Sequence, residues 1–216
     1  MGGTCIVENQ HPTNILAQIR PEPITTAHLR DVAELHFRQL SWSFSGQFGE
    51  IHILELYEAL SRSKHFFGYV YYNKGELLGF VTATTDYADT RRFVIDVFQK
   101  KVMQTLGVFL KHPRFFLTAL ESRFIVPLVF RWFGTRAEWL TFVTDTSKAY
   151  LSPFVALKLI DALNEHFKKA GIPLYMAQGF KNNPKAIRYY EKLKWRVALP
   201  LLMHNVYYYV ATKPGQ

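Results

Sequence analysis

The segment that most constrains the fold is the run from Phe66 to Asp86, FFGYVYYNKGELLGFVTATTD. Two stretches rich in aromatic and β-branched residues stand on either side of Asn-Lys-Gly, a sequence typical of a tight turn between two strands. The pattern predicts a β-hairpin. The fold must therefore contain antiparallel strands.

Helices and strands alternate on both sides of this hairpin. The most regular helix is SPFVALKLIDALNEHFKKAG, in which Ser152 is the expected cap, Pro153 the first helical residue and Gly171 the stop. Apolar periodicity predicts the other elements. The further predicted helices are Thr25–Leu40, Gly49–Ser63 and a short helix from Pro184, and the further strands are Ile15–Pro21, Trp139–Asp145, Ile172–Phe180 and His204–Thr212. This order predicts an α/β fold whose mixed, mostly antiparallel sheet is flanked by helices.

The composition favours one domain over residues 1–216. The chain has 216 residues, of which 49% are hydrophobic and 16% aromatic, enough to bury a sizeable core. The net charge of +9 favours anionic partners such as phosphates, an acidic carrier protein or a membrane surface. Nucleic acid is disfavoured because the aromatic residues follow core periodicity rather than a basic ribbon.

Several classes of protein are disfavoured by what the sequence lacks. The single Cys5 excludes a disulfide framework and suits a reducing compartment, and the eight His residues show no metal-binding spacing, so no metal site is expected. No secretory signal pattern and no run of 18 apolar residues occurs. We therefore expect a cytoplasmic protein, with peripheral attachment to a membrane left open.

Residues from about 87 to 138 differ from the rest of the chain. They include nine Lys and Arg against four acidic residues, a net of +5. Apolar residues from Phe93 to Leu110 recur at helical spacing, and RFIVPLVFRWF is apolar nearly all round. A helical insertion is predicted here. It packs on the sheet or on a second copy in a homodimer, or it meets an anionic membrane, an acyl carrier protein or a hydrophobic substrate.

A second distinctive stretch is NNPKAIRYYEKLKW, which follows a predicted strand. Asn183 before Pro184 is typical of a helix cap followed by proline in the first turn. Ala186 and Tyr190 then lie one turn apart on the same helical face. A small residue, a phenol and an amide on one side of a helix favour binding of an elongated ligand.

The order of elements and this stretch resemble the GCN5-related N-acetyltransferase (GNAT) family. The family pattern matches Asn183, Ala186 and Tyr190, while its final Gly-Phe is Lys194-Trp195 here. The resemblance implies an acyltransferase with acetyl-coenzyme A (acetyl-CoA) as donor. It also implies that Asn183 and Ala186 flank the donor and that Tyr190 protonates the departing thiolate, for which an ordinary phenol pKa near 10 is suitable. The donor would further contact the backbone of the preceding central strand, including Val143 and Thr144.

The start of the long helix departs from the family pattern. The family binds the donor pyrophosphate there on small residues, and the positions implied here are Leu151, Ser152, Phe154, Val155 and Ala156. Of the three residues that align with the family's pattern, Leu151, Phe154 and Ala156, only Ala156 fits, and Pro153 offers no amide. The loop then favours a different mode of phosphate binding, weak binding of coenzyme A or another donor.

The expected function is transfer of an acetyl group from acetyl-CoA to a primary amine of a small molecule or sugar. The alternatives are a longer-chain acyltransferase that uses acyl-CoA or acyl carrier protein, and a catalytically silent binding module. The residues considered for a general base are Glu50, His52 and Asp145, and the sequence does not choose among them.

Overall fold

The structure is a computed structural model that describes residues 18–181 and 183–211. One sheet of seven strands forms its centre, in the order β1-β2-β3-β4-β5-β7-β6. Only the β4–β5 pair is parallel, and the other pairs are antiparallel. The prediction of a mixed, mostly antiparallel α/β fold is confirmed.

The strands and helices have the following bounds. The strands are β1 Glu22–Pro23, β2 Phe66–Asn73, β3 Glu76–Thr84, β4 Glu138–Thr144, β5 Leu174–Phe180, β6 Arg196–Pro200 and β7 His204–Val210. The helices are α1 Leu29–Leu40, α2 Glu50–Leu60, α3 Tyr87–Gln99, α4 Val102–Lys111, α5 Pro113–Leu120, α6 Val126–Trp132, α7 Ser152–Lys169 and α8 Pro184–Lys192. A π-helical turn, Glu121–Ile125, joins α5 to α6.

The predicted hairpin is the pair β2–β3, and its turn shows why the sequence indicated it. Lys74 and Gly75 have φ values of 51° and 81°. Two positive φ values are those of a turn whose twist matches the twist of the flanking strands, and glycine adopts this backbone without strain. This hairpin fixes the register of half of the sheet.

Two layers of helices cover the sheet, one on each face. Helices α7 and α8 cover one face, where Leu159, Leu163 and Trp139 belong to a continuous buried cluster. Helices α1 and α2 cover part of the other face through a cluster that includes Phe80 and Tyr57. The strand period of two places alternate residues of each central strand in these two layers.

The segment between β3 and β4 is helical and completes the second layer. On this side of the sheet Val126, Val129 and Phe130 of α6 pack on Met176 and Val206. Glu121 in the π-helical turn accepts hydrogen bonds from the backbone amides of Leu202 and Met203, at 2.6 and 3.2 Å. The inserted helices are therefore attached to the β6–β7 turn as well as to the sheet.

Some local predictions were wrong. The predicted strand Ile15–Pro21 begins outside the described residues, and the strand of the structure is the short β1 just after it, paired with β2. Strand β6 was not predicted because this edge strand is short, three of its five residues are exposed, and it ends at Pro200. Helix α7 begins at Ser152, but the Ser152 hydroxyl donates to Thr144 Oγ1 at 2.7 Å instead of capping an amide.

Candidate active site

The parallel strands β4 and β5 separate along their length. They pair only where the beginning of β4 meets the middle of β5, with Glu138 opposite Met176 and Trp139 opposite Ala177. Beyond these residues β4 continues to Thr144 and β5 to Phe180 with no further pairing between them. Because strand backbones carry donors and acceptors that need partners, this opening offers hydrogen bonds to a ligand that enters between the strands.

An irregularity in β4 marks the point where the opening begins. The register between β3 and β4 shifts between Thr82 and Ala83, which are opposite Thr141 and Trp139, so one residue of β4 bulges. The indole Nε1 of Trp139 donates to the carbonyl of Thr141 at 3.3 Å, across the bulge. A β-bulge bends its strand and redirects backbone groups, which explains why β4 turns away from β5 here.

Tyr190 lies on the α7–α8 face of this opening. Its ring stacks on Tyr207 at 4.6 Å between centroids and packs at 5.8 Å from Trp139. Gly179 of β5 passes directly beneath, since a Cβ at this position would lie 3.0 Å from the Tyr190 ring. Burial, with smaller contributions from Tyr207 and Glu138, raises the pKa of Tyr190 above its ordinary value, so the phenol is protonated at neutral pH.

Glu138 lies on the opposite face of the sheet from Tyr190. Its side chain is buried, with 6% of its surface exposed, and its Oε1 accepts a hydrogen bond from Gln178 Nε2 at 2.6 Å. Gln178 in turn accepts from the Ser122 hydroxyl at 3.0 Å. Burial raises the pKa of Glu138 to about 7, against the opposing effects of the Gln178 hydrogen bond and the charge of Arg91. A carboxyl group with this pKa exchanges protons readily at neutral pH.

A cavity of about 140 Å³ opens near the end of β5 on the face that holds Glu138. Gln178 and Phe180 are two residues apart on β5 and so point to the same face, and Phe180 lines the cavity. The lining residues are Trp42, Ser43, Phe44, Arg114, Phe115, Thr118, Phe180, Lys181, Leu202 and Met203. Helix α5 thus forms one wall of a cavity that four aromatic side chains line, and Arg114 and Lys181 bring two positive charges to it.

The arrangement of strands and helices described above is also found in proteins of known structure. No protein-family model and no curated protein matches the sequence. Solved structures do match. A PaiA N-acetyltransferase from Thermoplasma acidophilum, in complex with coenzyme A, superposes with a TM-score of 0.55 at 10% identity, over 89% of this chain and 99% of that chain. The chain has the GNAT fold.

Two further structures show the same fold. The Arabidopsis thaliana protein NAA60, in complex with acetyl-CoA, has a TM-score of 0.52 at 14% identity and covers 89% of this chain and 98% of its own. Mutant forms of the spermidine/spermine N-acetyltransferase SpeG from Vibrio cholerae have a TM-score of 0.52 at 13% identity, over 90% of this chain and 95% of that chain. The likeness therefore extends over most of the chain at low sequence identity.

The GNAT-like stretch around α8 has the local structure that its sequence predicted. Asn183 is the N-cap of α8, and its side-chain oxygen accepts from the amide of Ala186 at 3.2 Å. Lys194, which replaces the glycine of the family pattern, has a φ of 59°. This is the left-handed backbone region that favours glycine, so Lys194 is strained at this position.

The start of α7 is less open than in the pattern of the family. The amides of Phe154 and Val155 both donate to the carbonyl of Leu151, at 2.9 and 3.0 Å. The side chains of Val155 and Ala156 are buried, and those of Leu151 and Phe154 pack on the same core. Lys148, just before this helix, is a nearby positive charge, but its Nζ lies 3.2 Å from Glu76 Oε2 and is already paired. The residues predicted for phosphate binding are thus together at one helix start, but the amides of Leu151, Phe154 and Val155 already have partners within the protein.

The remaining predicted donor residues lie beside the opening. Val143 and Thr144 belong to the part of β4 that is unpaired with β5. The Val143 side chain is buried against α1 and α2, and Val143 is opposite Phe80 of β3, so its side chain does not face a ligand. Asn183 and Ala186 lie at the start of α8, the helix that carries Tyr190.

The three residues considered for a general base lie elsewhere. Glu50 begins α2 and is exposed. His52 is stacked on Phe48 at 4.6 Å, and burial lowers its pKa to about 4. For Asp145, burial is outweighed by hydrogen bonds from Ser147, and its pKa is lowered; its carboxylate also pairs with Arg38 at 2.9 Å. Glu138 was not predicted, because it precedes the predicted strand Trp139–Asp145 and was counted with the insertion, although Gln178 was visible as a polar residue in an apolar strand.

Proposed function

We propose that the protein is a GNAT-type N-acetyltransferase that moves an acetyl group from acetyl-CoA to a primary amine. The main support is one arrangement: a carboxyl group with a pKa near 7 and a protonated phenol lie on opposite faces of the sheet, close to the point where β4 and β5 begin to separate. Acyl transfer to an amine needs a proton acceptor on the side of the amine and a proton donor on the side of the leaving group. Glu138 and Tyr190 meet these two requirements.

The proposal assigns one side chain to each of the two proton transfers. Acetyl-CoA supplies a thioester, whose carbonyl carbon forms a bond to the amine nitrogen as its bond to sulfur breaks. The Glu138 carboxylate accepts the proton that the amine loses, and the Tyr190 phenol donates a proton to the sulfur that leaves. Backbone amides of β4 beyond Trp139 stabilise the negative charge that develops on the carbonyl oxygen.

The opening between β4 and β5 offers better partners to the pantetheine arm of coenzyme A than the start of α7 offers to its phosphates. Unpaired backbone beyond Trp139 and Ala177 offers partners to an amide-containing arm. The α7 start keeps its helix dipole, yet the amides of Phe154 and Val155 are already bonded to Leu151. We therefore expect the donor to be held mainly along the strands and only weakly at the helix.

The cavity beside Phe180 is the proposed site for the acceptor. It lies on the Glu138 face and has an aromatic lining, and Arg114 and Lys181 add positive charge. Two cations disfavour a polyamine such as the spermidine named for the SpeG protein, because like charges repel. They favour an amine that also has an anionic group, such as an amino sugar with a phosphate.

The decisive experiment is a thiol-release assay with acetyl-CoA and a panel of amines. The panel includes polyamines, neutral amino sugars and phosphorylated amino sugars. We expect release with the anionic amines, a large decrease for Tyr190→Phe, and little change for the matched variant Tyr189→Phe. Tyr189 is the neighbouring residue on α8, its ring stacks on Phe142, and its buried hydroxyl has no partner among the described residues. Equal turnover of both variants would exclude the role given to Tyr190.

The bonded start of α7 supports a second candidate, an acyltransferase that uses a longer acyl chain. A longer acyl chain on acyl-CoA or on acyl carrier protein would place more of the binding energy along the opening and less at the phosphates. Calorimetry with acetyl-CoA, desulfo-coenzyme A and acyl carrier protein separates these donors. Binding of none of them would instead support a silent binding module.

A further inference from the structure

The inserted helices expose an unusual amount of apolar surface. On α4, the exposed side chains Met103, Leu106 and Leu110 are spaced three and four residues apart and so form one stripe. A second stripe runs along α5, the π-helical turn and α6, where Leu120, Phe124, Leu128 and Trp132 follow each other at four-residue intervals. Trp132 has 88% of its surface exposed. We call these two stripes the outer apolar face.

The two stripes lie on adjacent helices. Helices α4 and α5 are separated by His112, and the rings of Phe109 and Phe116 pack at 5.5 Å between centroids. Soluble proteins rarely leave a contiguous apolar surface of this kind open. No helix within residues 18–181 or 183–211 is long and apolar enough to cross a membrane. The face is therefore suited to a contact made from one side.

The charges around the outer apolar face are almost all positive. Lys100, Lys111, Arg123 and Arg131 are exposed, and none of them has an ion-pair partner among the described residues. Glu121, the one acidic residue between Lys100 and Arg136, is turned inward to the amides of Leu202 and Met203. The exposed surface of the insertion is thus more positive than its composition alone indicates.

We propose that the outer apolar face docks on a membrane surface that contains anionic lipids. Helices that combine apolar side chains with Lys and Arg lie in the interface between headgroups and acyl chains, where both kinds of residue find partners. A second copy of the chain is a poorer partner because two positive faces repel each other. An acidic carrier protein would match the charge, but it gives no reason for exposed residues as large as Phe124 and Trp132.

The position of α5 gives this docking a consequence for the proposed acceptor site. Phe115 and Thr118 of α5 line the cavity beside Phe180, while Leu117 and Leu120 of the same helix are exposed. The same helix thus lies between the cavity and the docking surface. A membrane-bound protein would hold the mouth of its cavity close to the lipid headgroups.

Vesicle co-sedimentation of the whole chain tests the proposal without any assay of activity. The vesicles contain phosphatidylcholine alone or phosphatidylcholine with phosphatidylglycerol. We expect binding to the anionic vesicles at low salt and a large loss of binding near 1 M salt, where the screening length falls to about 3 Å. The fluorescence of Trp132 gives a second readout, because its emission should shift to shorter wavelength on binding and the shift should be lost in Trp132→Phe.

Exposed positions allow variants that do not disturb the core. The double variant Leu110→Asp/Leu128→Asp should reduce vesicle binding at least tenfold, since each leucine that enters the interface contributes roughly a factor of ten. Lys111→Glu should reduce it by about fivefold or more for the charge removed. The matched controls are Leu157→Asp and Lys168→Glu on α7, which covers the other face of the sheet. Both controls should bind like the wild type.

Three outcomes would overturn the proposal. The first is no binding to anionic vesicles at low salt. The second is equal, salt-independent binding to neutral vesicles, which would remove the role of charge. The third is a stable dimer in light scattering that the Leu110→Asp/Leu128→Asp variant dissociates, which would identify a second copy as the occupant. None of these outcomes depends on whether the protein transfers acetyl groups.

Discussion

Replacement of Glu138 by glutamine should affect activity and stability in opposite directions. In the wild type, Gln178 Nε2 donates to Glu138 Oε1 at 2.6 Å. Glutamine at position 138 keeps an oxygen that accepts this hydrogen bond, but it has no charge to bury. Burial raises the pKa of Glu138 from the ordinary value of 4.5 to about 7. A difference of this size corresponds to roughly 3 kcal/mol between the two protonation states.

The sign of the pH dependence follows from the direction of the shift. Because the folded protein binds this proton more tightly than the unfolded chain, the contribution of Glu138 to stability is complete below pH 4.5 and is lost as the pH rises through about 7. Near pH 8, Glu138→Gln should therefore increase the free energy of unfolding by up to roughly 3 kcal/mol. At pH 4.5 the two proteins should differ little. Urea denaturation at several pH values measures both differences.

The same substitution, Glu138→Gln, should lower the turnover rate. Loss of a general base usually slows a reaction by about 10²- to 10⁴-fold. In the wild type, kcat/KM should rise with pH through about 7 as Glu138 ionises, and this rise should be absent from the residual activity of Glu138→Gln. A variant that is more stable at pH 8 and as active as the wild type would refute the catalytic role and leave the burial argument intact.

Glu121→Gln is the matched control for the stability argument. Glu121 is also a buried carboxyl group, but it accepts bonds from the Leu202 and Met203 amides, and its Oε2 lies 2.8 Å from His204 Nδ1. Loss of hydrogen bonds to a charged group costs about 1.5–3 kcal/mol each. We therefore expect Glu121→Gln to destabilise the protein. If Glu138→Gln destabilised it equally at pH 8, the explanation from burial would be wrong.

The other predictions concern single positions around the opening. Tyr190→Phe should slow turnover by roughly 10- to 1000-fold and change donor affinity by less than about threefold, as measured by steady-state kinetics. Phe154→Gly should tighten coenzyme A binding in calorimetry if its side chain obstructs the phosphates, and weaker binding would assign Phe154 to another donor pocket. Lys194→Gly should raise the free energy of unfolding by about 1 kcal/mol, because φ at this position is 59°. Gly179→Ala should destabilise by about 1–3 kcal/mol and slow turnover, since its Cβ would meet Tyr207 at 2.7 Å, whereas Gly107→Ala in the open interior of α4 should be neutral or stabilising.

Local signals in the sequence predicted the elements that local physics determines. The β2–β3 hairpin follows from a turn sequence that accepts two positive φ values, and α8 follows from the cap at Asn183. In the insertion, apolar periodicity predicted helices but not their orientation. Val97 is buried and Leu110 is exposed, although both belong to the same predicted pattern. Periodicity identifies an apolar face and does not say whether that face meets the sheet or the solvent.

The candidate site was only partly predictable for a related reason. Tyr190 was found because its helix matches a known local pattern. Glu138 and Gln178 are forty residues apart in the chain and meet only because the beginning of β4 pairs with the middle of β5. The raised pKa of Glu138 comes from burial beneath the inserted helices, a property of the assembled layers. No single stretch of sequence contains it.

The place where the insertion joins the sheet has a consequence for how this chain can vary during evolution. Thr84 and Glu138 are paired neighbours, so the chain leaves and re-enters the sheet at adjacent positions. The cost of closing a loop grows only slowly with its length, and segments of very different size can therefore join the same two strand ends. The residues Val126, Val129 and Phe130 cover Met176 and Val206, and their deletion would expose that part of the sheet. Length should consequently change most freely in α4, while α5 is needed as a wall of the cavity beside Phe180 and α6 must be kept or replaced by an equally apolar cover.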